Sequence, residues 1–210
     1  MTDSRRVNLR FCGFGGQGLI LAATVLGTAA VRAGLLAVQT QSFGSEARGG
    51  ECQAELSVSA GPILSLSPDE VDVLVTLSQA ALGRYLPGLR KDGVLFLDPQ
   101  FVQRPKRENI NILEVPVTRI ATEELGLGLV ANMVLLGCLR QVTDLVPEES
   151  LLLAIRETVP AKYCEVNVEA AERGKRLALE IQAARGAEEA GPQENLRGGA
   201  RGRDEKERRR

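Results

Sequence analysis

The 210-residue sequence has no histidine and no tryptophan, and aromatic residues make up only 3% of it. Without histidine, the commonest neutral-pH proton carrier and metal ligand is missing. The four cysteines, Cys12, Cys52, Cys138 and Cys164, are scattered with no C-x-x-C pair, so neither a zinc site nor an iron–sulfur cluster finds its ligand spacing. Few stacking rings and a formal net charge of -1 argue against nucleic acid as a partner. No apolar run reaches the length of a membrane span, because the one following Gly18 is interrupted by Thr24, Gly27, Thr28 and Arg32. Met1 to Arg10 carries charges but no apolar core of a secretion signal. These absences predict a cytoplasmic protein with reduced thiols and no membrane contact.

Hydrophobic residues at 44% and charged residues at 25% suit one globular domain with a sizeable core. Val7 to Cys12 is a short apolar run closed by Gly13, and Leu19 to Arg32 is Ala/Leu-rich at helical length. The opening therefore reads strand, glycine turn, helix. Further strands are expected at Leu35–Gln41, Glu51–Ser59, Val71–Leu77, Val94–Leu97 and Ile110–Val117. A crossover helix at Ser78–Leu89 has Ser78 as its N-cap. From Thr118 onward the pattern turns helical, over Thr118–Leu125, Val130–Val142, Glu148–Thr158 and Val168–Ala184, with Thr122 capping a short turn and Pro147 in a first turn. Alternating strands and helices predict an α/β fold, a single Rossmann-like domain over 1–185 whose mainly parallel sheet is flanked by helices. Residues 186–210 mix acidic and basic side chains with one large apolar residue, Leu196, and read as a disordered charged tail.

Two constellations carry chemical information. Gly13-Phe14-Gly15-Gly16-Gln17-Gly18 satisfies G-x-G-x-x-G between a strand and a helix, where backbone amides can receive a phosphate or carboxylate. A dinucleotide site also wants an acid at the end of the second strand, and Val38-Gln39-Thr40-Gln41-Ser42 supplies none. The same glycines equally serve a tight turn with close helix–sheet packing. The second constellation is Gln41-Ser42-Phe43-Gly44-Ser45-Glu46-Ala47-Arg48-Gly49-Gly50, a glycine-framed loop with one charge pair. Glu46 is a candidate proton acceptor and Arg48 a candidate anion clamp, or the two simply pair or stay solvated. No histidine or nucleophile stands beside them, so catalysis by this chain alone is not expected. Candidate ligand- or interface-binding residues are Gly13, Gly15, Gly16, Gln17 and Gly18 in the turn, with Ser42, Gly44, Glu46, Arg48, Gly49 and Gly50 in the loop.

Phe11-Cys12-Gly13-Phe14-Gly15-Gly16-Gln17-Gly18 followed by the motif from Gln41 to Gly50 resembles the gamma subunits of 2-oxoacid:ferredoxin oxidoreductases. The likeness continues through Val71-Asp72-Val73-Leu74-Val75 and Asn132-Met133-Val134-Leu135-Leu136-Gly137, spanning roughly Val7 to Ala184. The resemblance implies a complex that converts a 2-oxoacid and coenzyme A to acyl-CoA and carbon dioxide, with electrons passing to ferredoxin. It implies alpha and beta partner subunits, with a delta subunit in some complexes. Thiamine diphosphate, Mg2+ and iron–sulfur clusters would lie on those partners, and no cofactor would be bound by this chain alone. The Glu-Ala-Arg-Gly-Gly form is more similar to the 2-oxoglutarate branch than to the pyruvate branch, although Ser45 stands where a proline is common. Two other readings remain from the residues: a stand-alone Rossmann-type dinucleotide-dependent oxidoreductase, and a regulatory anion-binding module.

Overall fold

The computed structural model describes residues 6–44 and 50–190. Glu46, Arg48 and Gly49 of the predicted loop, and the tail from 191 on, lie outside the described residues. Six strands form one sheet: β1 (Val7–Phe14), β2 (Leu36–Phe43), β3 (Glu51–Ser59), β4 (Val71–Thr76), β5 (Leu89–Leu97) and β6 (Asn111–Glu114). Their spatial order is β2-β3-β1-β4-β5-β6. β1 pairs in parallel with β4, β4 with β5 and β5 with β6, whereas β3 is antiparallel to both β1 and β2. The sheet is thus mainly parallel, as the alternating pattern predicts, and among the described strands only β3 runs against the rest. β3 is inserted between the two strands that helix α1 (Leu19–Arg32) connects.

Each face of the sheet is covered where its strands are apolar. Leu9 and Phe11 of β1 alternate inward with Ala54 and Leu56 of β3 and pack against Leu26 of α1. That core extends into α4 (Ala131–Thr143), α5 (Glu148–Thr158) and α6 (Cys164–Ala190) through residues such as Leu135, Ile155 and Ala171. On the opposite face, α2 (Gln79–Tyr85) lays Ala81 and Leu82 over Cys12, Leu74, Leu95 and Leu97. α1 ends at Arg32 because Gly34, at φ +81, turns the chain back, with its N–H on Val31 O and Leu35 N–H on Ala30 O. Ser78 caps α2 as expected, its Oγ accepting from Ala81 N at 3.0 Å.

The structure moves several predicted boundaries. The crossover helix is shorter than Ser78–Leu89, giving way at Leu86–Gly88 to a 3-10 turn around Pro87. β5 starts at Leu89, not Val94; Asp92 takes a left-handed conformation at φ +65 and the β4–β5 register shifts between Val71 and Val73. That irregularity hides the strand's first half from a periodicity search. The strand expected at Ile110–Val117 is confined to Asn111–Glu114. The helix expected at Thr118–Leu125 is a three-residue α3 (Val117–Arg119) followed by a π-helical turn over Ile120–Glu124. Thr122 is no cap there: its hydroxyl donates to Thr118 O at 2.8 Å and Arg119 O at 3.1 Å. Pro147 stands at the N-cap of α5 instead of inside its first turn. The last helix begins at Cys164, a full turn before Val168, and continues to Ala190, past the expected Ala184.

Candidate functional site

The C-terminal ends of parallel strands are where α/β sheets place their ligands, and the glycine turn occupies that end of β1. Phe14, Gly15 and Gly16 are exposed. Gly16 (φ +98) and Gly18 (φ +70) adopt conformations that side-chain-bearing residues resist. Gly18 serves as N-cap of α1 without a capping side chain. Gln17 is the clasp of the turn. Its Oε1 accepts from Phe14 N at 2.8 Å and its Nε2 donates to Leu77 O at 3.1 Å, joining the ends of β1 and β4. A Cβ at Gly13 would stand 2.2 Å from Gln17 Oε1, so a side chain there would displace the clasp.

The two constellations that the sequence separates meet here. Gly15 N donates to Gly50 O at 2.9 Å, so the end of the Gln41–Gly50 motif is tied directly to the glycine turn. Within the same motif Gly44 N donates to Glu51 O at 2.7 Å, continuing the β2–β3 pairing by one residue. Ser42, exposed, pairs with Gln53 across that hairpin. Beside it lies a small polar cavity of about 150 Å3 bounded by Ser42, Phe43, Glu51, Cys52 and the Arg84 and Tyr85 side of α2. Arg84 Nη1 pairs with Glu51 Oε2 at 2.7 Å across that cavity. Burial pushes the Cys12 and Cys52 thiols up, with Arg10 opposing this at Cys12. Burial and then the Glu51 carboxylate push Tyr85 up. All three stay protonated at neutral pH, so none presents an anionic nucleophile. Among the described residues no cluster of three acidic, Cys or His side chains is arranged to hold a metal ion. None of their helices is long and apolar enough to cross a membrane.

Three buried polar residues with a part in this architecture escaped the sequence reading. Asn132 donates from Nδ2 to Gly18 O at 3.1 Å, locking the start of α4 against the glycine turn. Its Oδ1 is buried without a partner. Asp98, fully buried at the end of β5, accepts from Gln100 N at 3.0 Å and Thr118 N at 2.9 Å. It thereby fixes the loop beyond β5 to the start of α3. The third is Glu55, which pairs with Arg10 behind the turn. Asn132 lies within the Asn132–Gly137 segment of the resemblance, whereas Glu55 is recognised only from its cross-strand neighbour Arg10 and Asp98 only from its contact with Thr118.

This packing makes Gly18 a sensitive position. A Cβ at Gly18 would lie 2.5 Å from Asn132 Nδ2, on a left-handed residue. Gly18→Ala is therefore expected to cost at least about 1–2 kcal/mol from backbone strain alone, with a further steric cost that Asn132→Ala relieves. A double-mutant cycle by chemical denaturation checks this. Equal costs in both backgrounds would show that Asn132 is not the obstacle.

The geometry also bears on the dinucleotide reading. In that fold the strand carrying the ribose acid neighbours β1; here β3 intervenes between β1 and β2, and the end of β2 has no acid. Comparison with known proteins points elsewhere. Residues 8–177 match the family model described as pyruvate ferredoxin/flavodoxin oxidoreductase. The chain is 41% identical over 179 residues to the 2-oxoglutarate synthase subunit KorC of Methanocaldococcus jannaschii, covering 84% of this chain and 96% of that one. The crystal structure of the keto/oxoacid ferredoxin oxidoreductase gamma subunit from Geobacter sulfurreducens superposes with a TM-score of 0.74 at 35% identity, covering 83% of this chain and 99% of that one. The 2-oxoglutarate:ferredoxin oxidoreductase of Magnetococcus marinus shares the fold, with a TM-score of 0.77 at 23% identity over 85% of this chain and 32% of that one. A family match across most of the chain, joined to a gamma-subunit fold over 83% of it, places this protein in the pyruvate ferredoxin/flavodoxin oxidoreductase family, among its gamma subunits.

Proposed function

We propose that the chain is the gamma subunit of a cytoplasmic 2-oxoglutarate:ferredoxin oxidoreductase, assembled with alpha and beta subunits and, where the complex has one, a delta subunit. The complex would convert 2-oxoglutarate and coenzyme A to succinyl-CoA and carbon dioxide, releasing two electrons to ferredoxin. Identity to a 2-oxoglutarate synthase subunit supports the choice of oxoacid. The Glu-Ala-Arg-Gly-Gly stretch of residues 46–50 favours the same branch. The family resemblance implies thiamine diphosphate, Mg2+ and the iron–sulfur clusters on the partners, in keeping with a chain that has no C-x-x-C pair for a cluster.

The observation that carries the reading is the bond from Gly15 N to Gly50 O. It ties Gly50, the last residue of the loop motif, to the exposed glycine turn at the C-terminal end of the parallel strands. In the complex this end borders the region where acyl transfer to coenzyme A occurs. The N-terminus of α1, which follows the turn, and the guanidinium of Arg48 supply anion-binding groups suited to the phosphates of coenzyme A or the carboxylates of the oxoacid. Arg48 can bind such a group in bidentate fashion, which the single ammonium of lysine cannot.

Reconstitution of the complex with Arg48→Lys and Arg48→Ala tests this assignment. Both are expected to assemble and to lose about tenfold or more in kcat/KM for coenzyme A or the oxoacid, as loss of a charge-assisted hydrogen bond of about 1.5–3 kcal/mol requires. Intact assembly with unchanged kinetics would remove Arg48 from the site. Measured across pyruvate, 2-oxoglutarate and branched-chain 2-oxoacids, the same complex would reveal the branch directly.

A further inference from the structure

The two edges of the sheet are treated differently. At one end, β6 is four residues long, and its exposed rim is blunted by the last helix. Arg185 donates to Ile112 O and, from Nη1, to Asn111 Oδ1 at 2.6 Å, and Glu114 is paired with Arg104 at 2.9 Å. Short length, charge and a covering side chain are the usual protections of an edge strand against pairing. β2 at the other end is neither short nor charged. It is eight residues long, Leu-Ala-Val-Gln-Thr-Gln-Ser-Phe, with no charge, proline or glycine. None of its residues is fully buried, and Phe43 is 68% and Leu36 50% exposed. Alongside it runs an uncharged groove of about 310 Å3 between α1 and the sheet, lined by Gly27, Thr28, Val31, Ala37 and Leu56.

We propose that this edge is an interface with a second copy of the same chain, the two β2 strands pairing antiparallel about a two-fold axis through Thr40. A two-fold axis in a continuous sheet stands perpendicular to it and keeps each face on its own side. Residues that oppose one another must therefore come from the same face, and the axis must pass through a residue rather than between two. Ala37 and Gln39 line the α1 groove, and by the two-residue period Gln41 and Phe43 share that face. With the axis at Thr40, Gln39 of one copy opposes Gln41 of the other, Val38 opposes Ser42, and Ala37 opposes Phe43. The exposed ring of Phe43 then falls over the smallest side chain of the partner strand, beside the groove. Gln–Gln and Thr–Thr pairs across the axis are the kind that stabilise antiparallel ladders. Centring on Gln39 would put Phe43 opposite Leu35, which precedes the strand, and centring on Gln41 would put it opposite Gln39. Neither uses the space at Ala37. An uncharged strand meeting its own copy also incurs no like-charge contact, which a two-fold axis otherwise imposes on any ionised residue near it. The occupant that fits the edge in length, charge and side-chain size is thus β2 itself.

The test uses the full chain in a dilution series by analytical ultracentrifugation. The unaltered chain should show a monomer–dimer equilibrium. Gln39→Lys with Gln41→Lys places like charges opposite one another twice and should weaken the dimer roughly tenfold or more. Gln39→Glu with Gln41→Lys places opposite charges there and should restore it, while circular dichroism melts verify that both variants fold. A Thr40→Cys variant should cross-link to its own copy under mild oxidation, and Leu36→Cys should not. A monomer at all concentrations would overturn the proposal, as would a dimer indifferent to the paired lysines. Slow hydrogen exchange at β2 only in the presence of the alpha and beta subunits, with a monomeric free chain, would overturn it in favour of a partner's strand.

Discussion

Gly137→Ala is expected to cost about 3 kcal/mol or more and to leave little folded protein, because α4 and α6 cross with their backbones in contact. A Cβ at Gly137 would lie 1.8 Å from Ala171 O, and one at Gly174 would lie 1.9 Å from Val134 O. These obstacles are main-chain carbonyls, which cannot rotate away as a side chain would; the helices themselves must separate. Each glycine faces the other's helix, where the added carbon would meet main-chain atoms. Separation would move the start of α4, and with it Asn132, off Gly18 O, so damage in the helices reaches the glycine turn. Gly174→Ala should behave alike. Gly83→Ala, inside α2 where nothing lies within 4 Å of the added carbon, should instead stabilise the chain by up to about 1 kcal/mol. Urea titrations of the three variants compare the signs directly. A folded Gly137→Ala within 1 kcal/mol of the parent, by that same roughly 1–3 kcal/mol overpacking scale, would mean that the helices do not close as the structure has them.

Much of the fold is legible in local signals. The opening strand, glycine turn and helix were legible because an apolar run, a glycine cluster and an Ala/Leu-rich segment follow one another without ambiguity; α1 spans Leu19–Arg32 as expected. The α5 and β3 segments likewise follow from their periodicities. What escaped is non-local. Nothing in the residues of β3 announces that it inserts between β1 and β2, and that insertion brings Gly50 to Gly15. The first half of β5 was lost because Lys91, Asp92 and Gly93 break the apolar run on which strand recognition depends. The candidate site was therefore visible as two motifs, but their joining was not. Its supporting bonds, from Gln17 to Leu77, Asn132 to Gly18 and Asp98 to Thr118, each link segments separated by twenty or more residues and are invisible to local pattern.

The most consequential of the contacts hidden from the sequence is the pair between Arg10 and Glu55, and Arg10→Ala is expected to cost about 3–5 kcal/mol. Arg10 reaches Glu55 Oε1 from Nε at 2.8 Å and from Nη2 at 2.5 Å, with the side chains only 11% and 5% exposed. Glu55 Oε1 also accepts from Gln53 Nε2 at 3.2 Å, and Oε2 accepts from Ser67 Oγ at 3.0 Å. Arg10 lies 5.4 Å from the centre of the Tyr85 ring. These contacts hold β1 and β3 together with the Ser67–Pro68 segment on the one face of the sheet where β3 presents polar residues. Removing the guanidinium leaves a buried carboxylate with neutral donors only, a far larger loss than the net worth of the intact pair. The melting temperature should fall by roughly 10 °C, taking about 2–4 °C for each kcal/mol in a chain of this size. Arg10→Met combined with Glu55→Leu should recover most of it, since neither charge then remains to be desolvated. Failure of the double variant to recover would assign the cost to lost packing against Tyr85 instead of to the unpaired charge. Because β1 ends in the glycine turn and β3 begins after Gly50, the single variant should also loosen the bond between Gly15 and Gly50. Faster hydrogen exchange at the Gly15 amide in Arg10→Ala than in the double variant would connect this buried pair to the exposed turn; equal exchange in the two would confine its role to stability.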